Sequence, residues 1–120
     1  MNKNMKFAAA AAAALLAGCM NMPTPPSQIT GSYTSSLKYE NFDCQKLSAE
    51  LNSLARRENQ LVYAQQQRIH TSKTQAFWYG YGQGDGMEAS ELASVRGDKE
   101  AVRSAMDAKA CGNAGVSRRN

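Results

Sequence analysis

The stretch DCQKLSAELNSLARRENQLVYAQ, residues 43–65, decides the fold, because its residues repeat with the period of a helix. One helical face would carry, in steps of three and four, Cys44, Leu47, Leu51, Leu54, Glu58, Leu61 and Gln65. This heptad-like seam is apolar at its start and increasingly polar towards Gln65. Asp43 has the position of an N-cap, and Phe42 and Leu47 have the spacing of a hydrophobic staple. The pattern predicts a helix up to about residue 74.

A second helix is indicated further along the chain. Asp85 and Glu88 have the spacing of a capping box, and an apolar face follows them. That face comprises Leu92, Val95, Val102 and Met106. We expect this helix to end near Cys111, with Gly112 as its C-terminal stop.

The N-terminal region has the layout of a signal peptide. Lys3 and Lys6 precede an apolar run from Phe7 to Leu16, about ten residues long, whereas a membrane-spanning helix needs roughly 20. The run ends in Leu16-Ala17-Gly18-Cys19, which resembles the lipobox of bacterial lipoprotein precursors. An ordinary cleaved secretory signal and a buried alanine-rich helix are the alternatives.

The lipobox resemblance implies lipidation at Cys19. In that family the signal peptidase recognises the three residues before the cysteine, the sulfur receives a diacylglycerol, and the new amino group is often acylated. Two or more acyl chains, of the palmitate type, anchor a protein stably to a membrane. Met20 and Asn21 are not the aspartate that is associated with inner-membrane retention in enteric bacteria. The expected location is therefore the outer membrane, facing the periplasm.

The two remaining cysteines are expected to form a disulfide. Cys44 and Cys111 are the thiols left once Cys19 carries lipid, and compartments outside the cytoplasm are oxidising. Metal binding is the alternative, although no CxxC motif and no second histidine accompany these cysteines.

This pairing sets the register of an antiparallel hairpin. The residue numbers of two positions in contact should add up to about 155, as those of Cys44 and Cys111 do. Expected neighbours across the helix pair are Leu54 with Ala101 and Val102, Leu61 with Val95, and Glu58 with Gly97. Gly97 would allow the two helix backbones to approach, and Arg96 or Lys99 would reach the Glu58 carboxylate. The predicted fold class is all-α, an antiparallel two-helix hairpin closed by one disulfide and preceded by an extended tether. Because two helices bury little area, an envelope protein partner or a homo-oligomer is expected.

The chain divides into four regions. We expect a lipoprotein signal peptide over residues 1–18, a lipidated N-terminus and flexible tether over 19–38, a helical hairpin domain over 39–111, and a disordered tail over 112–120. The tether is predicted from its polar, proline-bearing composition. At roughly 3.1 Å per residue, it would hold the domain up to about 60 Å from the membrane.

Between the predicted helices lies AFWYGYGQGDG, residues 76–86, with glycine at every second position from 80 to 86. The glycines predict a flexible tip. The candidate contact residues of this tip are Phe77, Trp78, Tyr79 and Tyr81. The alternative is a simple connection whose aromatic residues cover the end of the helix pair. A phosphate-binding loop is excluded, because no Lys-Ser or Lys-Thr pair follows the glycines.

Charge and residue types argue against several functions. The formal charge of the chain is +4, but residues 38–111 contain ten basic and ten acidic side chains, which argues against nucleic-acid binding. His70 is the only histidine, and its polar surroundings are typical of a solvated surface residue. No nucleophile with a neighbouring base stands out. We therefore expect no catalytic residues, no metal and no cofactor, and predict that the protein is not an enzyme.

Over residues 29–111 the chain resembles a group of small, uncharacterised proteobacterial lipoproteins. The residues that carry this resemblance are Tyr39, Cys44, Gln45, Leu47, Glu50, Arg57, Leu61, Gln65, Glu91, Leu92, Gly97, Ala101, Lys109 and Cys111. In that group a longer and more continuously hydrophobic stretch separates the helices, whereas this chain has Tyr79-Gly80-Tyr81-Gly82 there. The resemblance implies a lipoprotein and no particular activity.

Three functions are compatible with these features. The favoured one is a lipid-anchored cell-envelope protein with a structural or adaptor role, acting through its helical surface and aromatic tip. The second is a membrane-active or surface-exclusion protein whose tip engages a bilayer or a foreign envelope component. The third is a regulator of a cell-wall enzyme such as a hydrolase.

Overall fold

A computed structural model describes residues 21–111 of the chain. Two helices dominate it, α1 over Cys44–Tyr79 and α2 over Met87–Ala108. They pack against each other as an antiparallel hairpin, and this part of the chain contains no strand. Two short 3₁₀ turns, Pro26–Gln28 and Ser36–Tyr39, precede α1. The predicted all-α hairpin is confirmed.

The predicted signal peptide, the lipidation site Cys19 and the predicted tail 112–120 lie outside the described residues. Within residues 21–111, neither helix combines the length and the apolar character needed to cross a bilayer. α1 has 36 residues, which is long enough, but charged side chains interrupt it throughout its first 30 residues.

Both ends of α1 are capped. At its start, the Asp43 carboxylate accepts a 2.7 Å hydrogen bond from the backbone N–H of Lys46, as the N-cap prediction requires. At its end, Gly80 adopts a left-handed conformation with φ of 82°, and its N–H donates to the carbonyl of Ala76. α1 thus continues past its predicted end and includes Tyr79.

The capping box predicted for α2 is wrong. The helix starts at Met87 with Gly86 as its N-cap, and no side chain caps it. The Asp85 carboxylate is engaged elsewhere, because it accepts hydrogen bonds from Thr24. The helix ends at Ala108, slightly before its predicted end.

The core consists of two apolar clusters along the seam between the helices. The first contains Tyr39, Leu47, Ala101, Val102 and Ala105. The second contains Leu61, Leu92 and Val95. Leu54 packs against both clusters and joins them. The predicted seam is confirmed, and Gln65 at its polar end is fully buried.

The predicted register is also confirmed. Cys44 and Cys111 form a disulfide, with their Cα atoms 5.5 Å apart. Further along the hairpin, Glu58 on α1 pairs with both Arg96 and Lys99 on α2. The disulfide therefore closes the hairpin at the end where α1 begins.

Residues 21–39, here called the N-terminal segment, lie along the hairpin as a third layer. Apart from the 3₁₀ turns they have no regular secondary structure, and the segment does not stand free. The N–H of Ser32 donates to the carbonyl of Ala93 on α2 at 2.9 Å, and Tyr39 is buried in the first core cluster. The prediction of a flexible tether over 19–38 is thus corrected for residues 21–38, because their backbone and side-chain polar groups bind the helices.

Gly97 accommodates this third layer. A Cβ atom at Gly97 would lie 1.8 Å from the carbonyl oxygen of Ser32, and one at Gly31 would lie 2.9 Å from the nitrogen of Gly97. The predicted role of Gly97, a close approach of the two helices beside Glu58, is wrong. The backbone that crosses Gly97 belongs to the N-terminal segment.

Gly97→Ala is expected to destabilise the domain and detach the N-terminal segment from α2. Inside a helix, alanine normally stabilises relative to glycine by about 0.5–1 kcal/mol. At this position the added methyl group collides with Ser32, so the sign should reverse and the Ser32–Ala93 hydrogen bond should break. Thermal denaturation and hydrogen exchange of the Ser32 amide measure the two effects.

The control is Ser94→Ala, at an exposed position of the same helix, which should leave the Ser32 amide protected. If Gly97→Ala raised the melting temperature and kept that amide protected, the close crossing of the N-terminal segment over α2 would be refuted.

Candidate functional site

The end of α1 projects beyond α2 and carries exposed aromatic residues. α2 begins beside Arg68, whose guanidinium pairs with Glu88 at 3.2 Å. Residues 69–79 therefore extend about 16 Å past that contact. The exposed aromatic side chains here are Phe77, Trp78 and Tyr79 on α1 and Tyr81 just after it. We call these four residues the aromatic end. The exposed Met87, at the start of α2, is 82% accessible.

Three consecutive aromatic residues surround the last turn of α1. Successive residues of a helix point about 100° apart, so Phe77, Trp78 and Tyr79 face three directions. Their side chains are 80%, 72% and 72% exposed, and the Phe77 and Trp78 rings meet edge to face with centroids 5.2 Å apart. The predicted flexible tip is corrected for these three residues. They are helical because the alternating glycines, and with them the helix stop, begin only at Gly80.

The glycine-rich loop, residues 80–86, folds back along α1. The N–H of Gln83 donates to the Ser72 hydroxyl at 3.2 Å, and the N–H of Gly84 donates to the Asn21 carbonyl at 2.7 Å. Glycine is needed at position 84, because a Cβ atom there would lie 2.7 Å from the Asn21 side chain and φ is 68°. The loop is therefore held by packing and hydrogen bonds on both sides.

A polar network that the sequence did not predict ties this loop to the N-terminal segment. The Asp85 carboxylate accepts hydrogen bonds from the Thr24 N–H at 2.6 Å and the Thr24 hydroxyl at 2.5 Å. The side-chain amide of Gln65 donates to Asp85 and to the Thr24 carbonyl, each at 2.9 Å. These bonds, foremost that from the Thr24 hydroxyl, lower the pKa of Asp85. The sequence feature that could have indicated this network is Gln65, a polar residue at a position of the predicted seam.

Arg96 joins all three layers in the middle of the hairpin. Its Nε donates to Glu58 at 2.9 Å, and its Nη1 donates to the carbonyls of Pro26 and Ile29. Lys99 donates to the second oxygen of the Glu58 carboxylate. The bond from Lys99, followed by that from Arg96, lowers the pKa of Glu58 below its ordinary value.

A groove of about 630 Å³ lies beside this junction, between the N-terminal segment and α2. Two cationic side chains bind the Glu58 carboxylate and lower its pKa, which makes it a weaker general base. Among the described residues that line the groove there is neither a histidine nor a cysteine. Within residues 21–111, no cluster of three or more histidine, cysteine or acidic side chains could hold a metal ion. His70 is exposed on α1, as predicted.

The structure separates the predicted site residues. Cys44 and Cys111 close one end of the hairpin, and the aromatic end is the other, about 54 Å away along α1. The predicted lipidation site, Cys19, and the predicted signal-peptidase recognition residues before it lie outside the described residues. The described candidate contacts are thus the aromatic end and the groove.

Comparison with protein-family models, with curated proteins and with solved structures finds no match for this chain. The resemblance to proteobacterial lipoproteins stays a prediction made from the residues. The function is therefore inferred from the chain's own sequence and geometry.

Glu58 should make the stability of the domain depend on pH. Because its pKa is lower in the folded than in the unfolded state, its contribution is present above its ordinary value of 4.5 and is lost as the pH falls through the lowered folded value. We expect Glu58→Gln to lower the free energy of unfolding by about 1–3 kcal/mol at neutral pH. The loss should shrink as the pH falls from above 4.5 through the lowered folded value. Urea denaturation across this range measures it.

Glu100→Gln is the matched control, because Glu100 is exposed and pairs with Arg103 on its own helix. It should leave the pH profile of the wild type unchanged. Asp85 also has a lowered pKa, so part of the acid sensitivity should persist in Glu58→Gln. Identical pH profiles for Glu58→Gln and the wild type would contradict the assigned role of Glu58.

Proposed function

We propose that this chain is a lipid-anchored protein of the bacterial cell envelope with a structural or adaptor role. Acyl chains on Cys19 hold it on the membrane, in the outer membrane facing the periplasm. The disulfide-closed hairpin presents a stiff surface to an envelope protein or to a second copy of the chain. No catalytic step is part of this proposal.

The observation that carries the proposal is the lipobox-like Leu16-Ala17-Gly18-Cys19, shortly before a domain closed by a disulfide. Disulfides persist in compartments outside the cytoplasm, which is where a lipoprotein signal would deliver the chain. The signal-like sequence and the disulfide support the same compartment independently.

The use of charged groups supports a structural role. Glu58, Arg96 and Lys99 lie next to the groove, and they are bound to one another and to backbone carbonyls. Asp85 is likewise engaged by Thr24. Side chains that could perform acid–base chemistry thus hold the layers of the domain together.

The anchor is tested by the intact mass of the native protein, extracted with detergent from the membrane fraction. We expect a chain that begins at Cys19 and carries a diacyl or triacyl adduct. Its two other cysteines should be alkylated only after reduction, because they form the disulfide. An unmodified mass, or a chain that begins elsewhere, would contradict the anchor.

Two variants make this measurement specific. Cys19→Ser should lack the adduct and move to the soluble fraction, since the acyl chains provide the membrane affinity. Cys44→Ser should stay in the membrane fraction and melt at a lower temperature, because it loses the disulfide but not the anchor.

The adaptor role is tested by site-specific photocross-linking in intact cells. A photoreactive residue replaces either Tyr33, which is 93% exposed beside the groove, or Tyr63, which is 65% exposed on α1. A discrete cross-linked product from either position, resolved by mass as a second copy or one envelope protein, is expected. The absence of any discrete product at both positions would argue against the adaptor role.

A further inference from the structure

The tip of the projecting end of α1 is uncharged and rich in aromatic residues. From residue 74 to residue 84 the chain contains no charged side chain, and the four aromatic residues of the aromatic end are largely exposed. Apolar clusters of this kind on a protein surface mark contact sites. Tyrosine and tryptophan in particular are enriched where a membrane meets water, because their rings are apolar and their N–H or O–H groups remain hydrated.

The N-terminal segment enters the domain close to this same end. The Asn21 carbonyl accepts a hydrogen bond from the glycine-rich loop, and that loop is bonded to Ser72 of α1. Ser72 precedes Tyr79 by seven residues, which is about 10 Å along the helix. Cys19 precedes Asn21 by two residues, so about 7 Å of chain at most separates them. The predicted lipidation site therefore belongs to the end of the hairpin that carries the aromatic residues.

The disulfide end of the hairpin is out of reach of the anchor. α1 begins at Cys44, 28 residues before Ser72, and this corresponds to about 42 Å of helix. Two residues of chain cannot span that distance. Residues 21–39 do not act as a spacer either, because Ala93 and Arg96 of α2 bind that segment through hydrogen bonds.

We propose that the aromatic end rests in the interface of the same membrane that holds the acyl chains of Cys19. This inference rests on the proposed function, since it requires the lipid anchor. The hairpin then stands on the membrane with its aromatic end down. Its disulfide end points into the aqueous compartment, and the groove faces sideways above the membrane surface.

The arrangement of the aromatic side chains favours a lipid surface over a protein. A helix that binds a flat or grooved protein surface contacts it through side chains three or four residues apart on one helical face. Here Phe77, Trp78 and Tyr79 are consecutive and exposed, so their side chains leave the helix about 100° apart and do not share one face. A fluid headgroup layer surrounds a helix end on all sides, so it can accept every one of these rings at once.

The anchor makes this contact effective. Tethering raises the local concentration of the aromatic end at the bilayer, which turns a weak interfacial affinity into a populated contact. The acyl chains fix the protein on the membrane, and the aromatic end fixes its orientation. Without the acyl chains, the aromatic end alone should leave most of the protein in solution.

Trp78 is the only tryptophan of the chain, so its fluorescence reports on the aromatic end alone. The lipidated protein is reconstituted in vesicles of phosphatidylethanolamine and phosphatidylglycerol, with or without brominated acyl chains. We expect a blue-shifted Trp78 emission that brominated lipids quench, because bromine quenches only at close contact. The double variant Phe77→Ser, Tyr79→Ser should be quenched several-fold less, whereas Tyr63→Ser, in the middle of α1, should behave like the wild type.

A second control moves the tryptophan to the other end of the hairpin. In the double variant Trp78→Phe, Leu37→Trp, the new tryptophan replaces a leucine that is 72% exposed in the second 3₁₀ turn. Brominated lipids should leave its emission unchanged. Equal quenching at both positions would mean that the hairpin lies flat, and it would overturn the proposed orientation.

Flotation of the vesicles separates the possible failures. Protein that floats with the vesicles while Trp78 stays solvent-exposed and unquenched would overturn the inference but not the lipid anchor. Protein that fails to float would overturn the anchor, and the inference with it. In a separate sample, the brominated lipid is present only in added vesicles that lack the protein, and it should not quench Trp78. Quenching by these added vesicles alone would assign the aromatic end to a second membrane, as expected for a surface-exclusion protein.

Discussion

A pair of helices buries only one stripe of each helix, and this shortage of buried surface is the constraint on which the rest of the domain depends. The chain meets it by laying residues 21–39 along the hairpin as a third layer. Tyr39 from that layer completes the first core cluster, and Gly97 leaves room for its backbone to cross α2. Arg96 then binds its carbonyls while pairing with Glu58. The segment before α1 is therefore part of the fold.

Local patterns predict the helices, while the third layer depends on contacts that no local pattern encodes. The steps of three and four mark the seam, and the cysteine pair sets the register, so Glu58 meets its partners on α2 as expected. The third layer depends on hydrogen bonds between distant positions, such as Thr24 and Asp85, which are 61 residues apart. A polar stretch with prolines has the same composition whether it is solvated or bound. Its packing therefore could not be predicted from composition.

For the aromatic end, the sequence indicates the composition but not the conformation. Aromatic residues have middling helix propensities, so local preference does not decide whether Phe77, Trp78 and Tyr79 are helical. The decision comes from Gly80, which ends α1 in a left-handed conformation only after them. Because a helix presents the rings instead of a mobile loop, their directions are fixed before any contact forms. Less conformational entropy is then lost when they bind.

The disulfide also determines what happens to the domain when its backbone is broken. It joins cysteines that are 67 positions apart, and the whole loop over residues 80–86 lies between them. A protease that cleaves this loop produces two pieces that remain covalently linked. α2 stays attached to the N-terminal part of the chain until the sulfur–sulfur bond is reduced. Release of α2 from the proposed anchor therefore requires two chemically different events, one hydrolytic and one reductive.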